Sequence, residues 1–213
     1  MSEKSLSRKI TAELKVTETA LSRQLENLYK KISLDIGNGL PLESVKAKYQ
    51  KQIKSLIAES VQRSWLYSHT LISQVSGESI SITAKDGQGI ETTINKVENE
   101  FWSLTTKLVL RNEVEAFKVN TNSEIEQLDS FDIHAAFIAF GIFGAYYAFN
   151  QGIDSKSQEI GRVIKLKFVV REDCVDTKIC LPLNGGLYDP GNIPFTFPLH
   201  KHCHCRLIPV LSS

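Results

Sequence analysis

The sequence predicts an α+β protein, with long helices over most of its length and a small β-rich Cys/His module at its C-terminal end. Three observations carry that reading. Apolar residues recur at helical spacing through most of the first 160 positions. The segment VIKLKFVV, starting at Val163, alternates apolar and polar residues instead and is β-branched. Five of the six prolines (Pro182, Pro190, Pro194, Pro198 and Pro209) and all four cysteines lie beyond it, where no long helix can form. The chain divides accordingly into a helical N-terminal region (1–77), a helical core (78–160) that includes an apolar helix (133–153), and the β module (161–213).

In the first region Leu6, Ile10, Leu14, Thr17, Leu21, Leu28 and Ile32 step by threes, fours and their multiples, which places them on one stripe of a long amphipathic helix. DIGNGLP ends it, with Gly37 and Gly39 suited to a left-handed helix terminus and Pro41 to the first turn of the next helix. That second helix turns Val45, Tyr49, Ile53, Leu56, Ile57, Val61 and Trp65 inward, giving an antiparallel hairpin. VSGESIS and AKDGQG read as a connection. Helical spacing then resumes at Ile90, Ile94, Val97, Phe101, Leu104 and Leu108 and breaks at KVNTNSE. These stripes predict core packing; each is too short to establish a sustained coiled-coil heptad.

The stretch 133–153 contains no Lys, Arg, Asp or Glu. It is long enough for a membrane span, yet Asn150 and Gln151 interrupt it and no basic cluster flanks it. Gly141, Gly144 and Ala148 form a narrow small-residue face at helical spacing, so a buried core helix is the expectation, with a membrane-active segment as the alternative. The N-terminal sequence lacks the apolar run of a signal peptide, which predicts a cellular interior where thiols stay reduced. A net charge of +1 argues against a strongly basic, DNA-coating protein.

In the β module, LNGGLYDPGN supplies Gly185, Gly186 and Gly191 for turns, and CRLIPVL is a closing strand placed at an edge by Pro209. Candidate ligands are Cys174, Cys180, His200, His202, Cys203, His204 and Cys205. In extended backbone Cys203 and Cys205 face one way and His202 and His204 the other. Two thiolates on one face grip one tetrahedral ion, and Cys180 with either Cys174 or His200 completes the four-ligand set of structural zinc. His202 and His204 are then expected to be exposed or hydrogen-bonded rather than ligating. Familiar zinc pairs are separated by two to four residues, whereas five residues separate Cys174 from Cys180 and one separates Cys203 from Cys205. Disulfides and unpaired thiols stay open as alternatives. So does catalysis: a zinc-dependent or Cys/His hydrolase, nuclease or toxin-like, with Asp173, Asp176 or Asp189 available as a base.

The order of features from the strand through EDCVDTKIC and LPLNGGLY to HKHCHCRL resembles the C-terminal signature of the phage Mu F-like minor head protein family. That signature is a Cys-x-x-Cys, a Leu-x-Gly shortly after, and a final His-Pro-x-Cys-Arg-Cys. Cys180, Leu183 and Gly185 fall on the second cysteine and the Leu-x-Gly turn, while His200, Cys203 and Cys205 fall on the final histidine and cysteines. Thr177 stands at the first cysteine's place with Cys174 three residues earlier, Lys201 replaces the proline and His204 the arginine. An upstream Arg-Thr-Glu-like element is absent from IAFGIFGAYYAF. The resemblance implies a non-enzymatic minor capsid protein of a tailed virus, made in the host cytoplasm and built into the procapsid near the portal. Its partners would be the portal and other head proteins and, weakly, packaged DNA. The helical hairpin would be the partner surface.

Overall fold

The computed structural model describes residues 3–120, 130–160, 164–171, 177–197, 199–200 and 203–211. Three long helices come first: α1 (Glu3–Gly37), α2 (Leu42–Ser76) and α3 (Ala84–Asn120). Then α4 (Ser130–Ile142) passes through a π-helical turn (Phe143–Tyr147) into α5 (Ala148–Ser157). Strand β1 (Ile164–Val169) is followed by the single turn α6 (Thr177–Cys180), a 3₁₀ turn (Leu181–Leu183), β2 (Leu187–Tyr188) and β3 (Arg206–Leu211). The architecture is α+β, as the sequence predicts.

The stripes match the core. All seven stripe residues of α1 are buried, together with Leu25, which the spacing had not singled out. In α2 every residue of the stripe except the half-buried Leu56 is buried. Ile94, Val97 and Phe101 of α3 are buried, Ile90 and Leu104 partly so, and the Leu108 side chain lies outside the described residues. Gly39 closes the first connection at φ 88, while Gly37 ends α1 itself.

The segment AKDGQG is helix, contrary to its reading as a connection. Thr83 and Asp86 form a capping box: the Asp86 carboxylate accepts from the Thr83 N–H at 2.8 Å and the Asp86 N–H donates to the Thr83 hydroxyl at 3.3 Å. That start signal outweighs the propensity cost of Gly87 and Gly89. Gly89 is also a close-approach position, since a Cβ there would fall 2.5 Å from the Trp65 ring. The same carboxylate draws in His69 of α2 at 3.2 Å and Lys156 of α5 at 3.3 Å, a fully buried junction of three helices.

The apolar helix is internal. Phe137, Phe140, Ile142, Tyr146, Phe149 and Ile153 are buried. Its small-residue face seats against the hairpin: a Cβ on Gly141 would lie 2.4 Å from the Glu18 carbonyl oxygen of α1, and one on Gly152 would lie 2.2 Å from the Ser68 hydroxyl of α2. Among the described residues no helix is long and apolar enough to cross a membrane. One face of the hairpin is thus occupied by α4 and α5 from within the chain.

The sheet is antiparallel, in the order β2-β1-β3, with β3 at one edge as Pro209 required. β1 pairs along its whole length with β3, from Ile164 opposite Leu211 to Val169 opposite Arg206. Its buried face, Ile164, Leu166 and Phe168, packs on α1, α2 and α5 in one core shared with Leu207, Ile208 and three cysteines. The module therefore has large apolar residues to bury, including stacked Phe168 and Phe197 at 5.9 Å. The helices supply the other half of its core.

Candidate metal centre

Two separate pieces of backbone deliver the three thiols. Cys180 ends α6, which the Pro182-containing 3₁₀ turn continues. The chain then reverses at Leu183–Gly186, with Asn184 at φ −62, ψ 127 and Gly185 at φ 82, and the Gly186 N–H donating to the Leu183 carbonyl at 3.0 Å. These are the dihedrals of a type II turn, whose third position needs positive φ. The turn also pairs with Phe168 through Gly185 N–H at 2.8 Å, fixing α6 to the sheet. Leu183 and Gly185 are therefore turn residues.

On the other side, the Cys203 N–H donates to the His200 carbonyl at 3.2 Å, and the chain runs through Cys205 into β3. Asn150 of α5 clamps this entry: its side-chain amide donates to the Cys205 carbonyl at 3.1 Å and its oxygen accepts from the Leu207 N–H at 2.9 Å. Both bonds are buried, and they fix where Cys205 points. A polar residue inside a charge-free apolar run was the available signal for this role.

The Sγ atoms of Cys180, Cys203 and Cys205 lie within 4.8 Å of one another, all buried, and the Cys180–Cys203 pair is at 4.0 Å. All three are thiols rather than disulfides. His200 brings Nε2 to 3.1 Å from the Cys180 sulfur. Thiolates around a tetrahedral ion at about 2.3 Å stand about 3.8 Å apart, so three sulfurs at these separations can hold a metal. Cys174 and His202, with Asp173 and Asp176, lie outside the described residues. Asp189, the remaining candidate base, is exposed and ion-paired with Lys165.

The electrostatics suit a cation. The Cys205 thiol hydrogen-bonded to Cys203 holds the Cys203 thiol down to about 5, against burial and with help from nearby backbone groups and His200. Cys205, sharing that proton with Cys203 and buried, is pushed up. A cluster of thiols that share a proton in an apolar core gains from a positive ion, which would deprotonate them.

His204 points away from the thiols, as strand alternation predicts. Its Nε2 lies 3.4 Å from the buried Glu18 carboxylate of α1 and its ring meets Tyr146 edge-on at 5.1 Å. Burial pushes the Glu18 carboxyl up, but His204 and Lys15 outweigh it and the carboxyl sits below its ordinary range. Arg206, 3 % exposed, donates to Ser7 of α1. These contacts bolt the strand that follows the thiols to α1 and were not visible in residue spacing. Searches of protein-family models, curated proteins and solved structures find no match to this chain.

Proposed function

We propose that the chain is a non-enzymatic minor head protein of a tailed virus, in which a structural zinc ion held by Cys180, His200, Cys203 and Cys205 closes the C-terminal end. One observation supports the reading above others: the three cysteines that fall on the Mu F-like signature, Cys180 far from Cys203 and Cys205 in sequence, come together at one buried point, with His200 against Cys180 and the Leu183–Gly185 turn beside them. Chance likeness of short motifs would not require that convergence.

Four protein ligands leave a tetrahedral ion no open position, which favours a structural over a catalytic role. The chain's own residues then do three things. The thiolates neutralise the ion, Asn150 and the type II turn fix the ligand-bearing segments, and the aromatic core excludes water. On this reading the protein assembles in the host cytoplasm, resides in the virion head interior, and meets the portal and other head proteins through the outer faces of α1–α3.

Coexpression with a portal protein encoded beside it tests the assignment. Copurification with the portal ring and presence in procapsids are expected. Absence from both procapsids and virions would overturn it, whatever the metal content.

A further inference from the structure

An open cleft of about 690 Å3 lies between the first turns of α1 and the adjoining ends of β1 and β3. Four cationic side chains line it: Arg8 and Lys15 from α1, Arg171 just after β1, and Arg206 at the start of β3, with the hydroxyl-bearing Ser7 and Thr11 between them. No acidic side chain occurs among its described lining residues. Arg206 is anchored through Ser7, Arg171 Nη1 donates to the Tyr146 hydroxyl at 3.1 Å, and Lys15 is tied to Glu18 at 2.6 Å. Arg8 is exposed and makes no ion pair among the described residues. On a chain of net charge +1, this concentration of cations in one concave surface is local. Such a surface focuses potential onto an anion.

The lining also selects the kind of anion. The cleft is far larger than one phosphate group and is open. Its described apolar wall is Ala12, Val169 and Val170, with no aromatic ring on which a base could stack. A mononucleotide would leave its base without a partner, whereas successive phosphates of an extended backbone match several cations at once. We propose that this cleft binds the phosphodiester backbone of nucleic acid without reading its sequence. The proposal assigns a site to the weak packaged-DNA contact that the head-protein reading implies, and its argument stands on the cleft alone.

Fluorescence anisotropy with a labelled DNA duplex of mixed sequence and the full chain tests it, with inorganic phosphate as a second probe. Arg206 is buried, so three cations, Arg8, Lys15 and Arg171, meet phosphates, and binding should fall with salt with a log–log slope of about −3. Arg8→Glu should weaken binding about tenfold or more at low salt and flatten the slope by about one. Lys31→Glu makes the same charge change at an exposed position about 35 Å further along α1 and should leave binding within about twofold. Circular dichroism checks that both variants fold. No duplex binding by the wild type, binding of inorganic phosphate alone, or equal weakening by the two substitutions overturns the proposal.

Discussion

The two ends of the α1–α2 hairpin are held by different physics. At the end near its turn, Leu21, Leu25, Leu28 and Ile32 meet Val45, Ile53 and Ile57, and α3 and α4 add Phe101, Trp102, Phe137 and Phe140. Rings there touch at 5.2 to 6.1 Å in tilted and edge-on geometry. At the opposite end the same two helices present Leu6, Ile10, Leu14, Leu71 and Ile72 to a sheet, and the core they form also holds three thiols. Buried polar contacts gather there: Asn150 on the entry to β3, His204 on Glu18, and Arg206 on Ser7. Apolar burial is non-directional and accepts many packings, whereas hydrogen bonds and metal ligation fix one. A helix bundle can close by burial alone, but a three-stranded sheet whose middle strand pairs with only two residues of β2 needs the directional contacts.

That contrast can be broken most severely at the thiols. Stripping the proposed zinc with a chelator, or replacing both Cys203 and Cys205 with Ser, should cost several kcal/mol, since structural zinc contributes on the order of 10 kcal/mol to small domains that depend on it. Hydrogen exchange should show protection lost in β1 and β3 while residues 21–61 of the hairpin stay protected. Phe101→Ala attacks the other end. Truncating this fully buried ring should cost about 3–5 kcal/mol in urea unfolding and leave metal content unchanged.

Asn150→Leu sharpens the comparison within the sheet end. It strands the Leu207 N–H and the Cys205 carbonyl, for a loss of about 2–3 kcal/mol in urea unfolding and weaker metal retention against a competing chelator. The smallest effect is expected at the Asp86 junction between the two ends. Burial pushes its carboxyl up, but Thr83, His69 and Lys156 overcome that and hold it at about 2, below its ordinary 3.8. A depressed folded value means stability that is present above about pH 4 and is lost as pH falls through about 2, amounting to about 2 kcal/mol. The melting temperature of Asp86→Asn should lack that step when followed against pH beside the wild type. Burial also lowers His69 despite its carboxylate neighbours, so its contribution falls in both proteins as pH drops below 6.5.

The helical end was almost fully legible in the sequence, because a period of three to four residues reports directly which side chains face inward. The exceptions are local. Gly87 and Gly89 look like helix breakers, yet the Thr83–Asp86 capping box starts a helix over them and Trp65 requires the missing side chain at Gly89. The π-helical turn at Phe143–Tyr147 has no signature in spacing. At the sheet end, alternation separated Cys203 and Cys205 from His204, and the family resemblance marked Cys180, His200 and the turn. What stayed hidden were partners from distant helices, such as Asn150 with Leu207 and Glu18 with His204. Such contacts depend on how α1 and α5 cross the sheet, and no window of sequence contains both members.

X-ray absorption at the zinc edge on the reduced, purified chain tests the central claim most directly. The account predicts about one zinc per chain with three sulfur neighbours at about 2.3 Å and one nitrogen at about 2.0 Å. A reduced protein that binds no zinc, or a bound ion surrounded by oxygen or by four sulfurs, would contradict it.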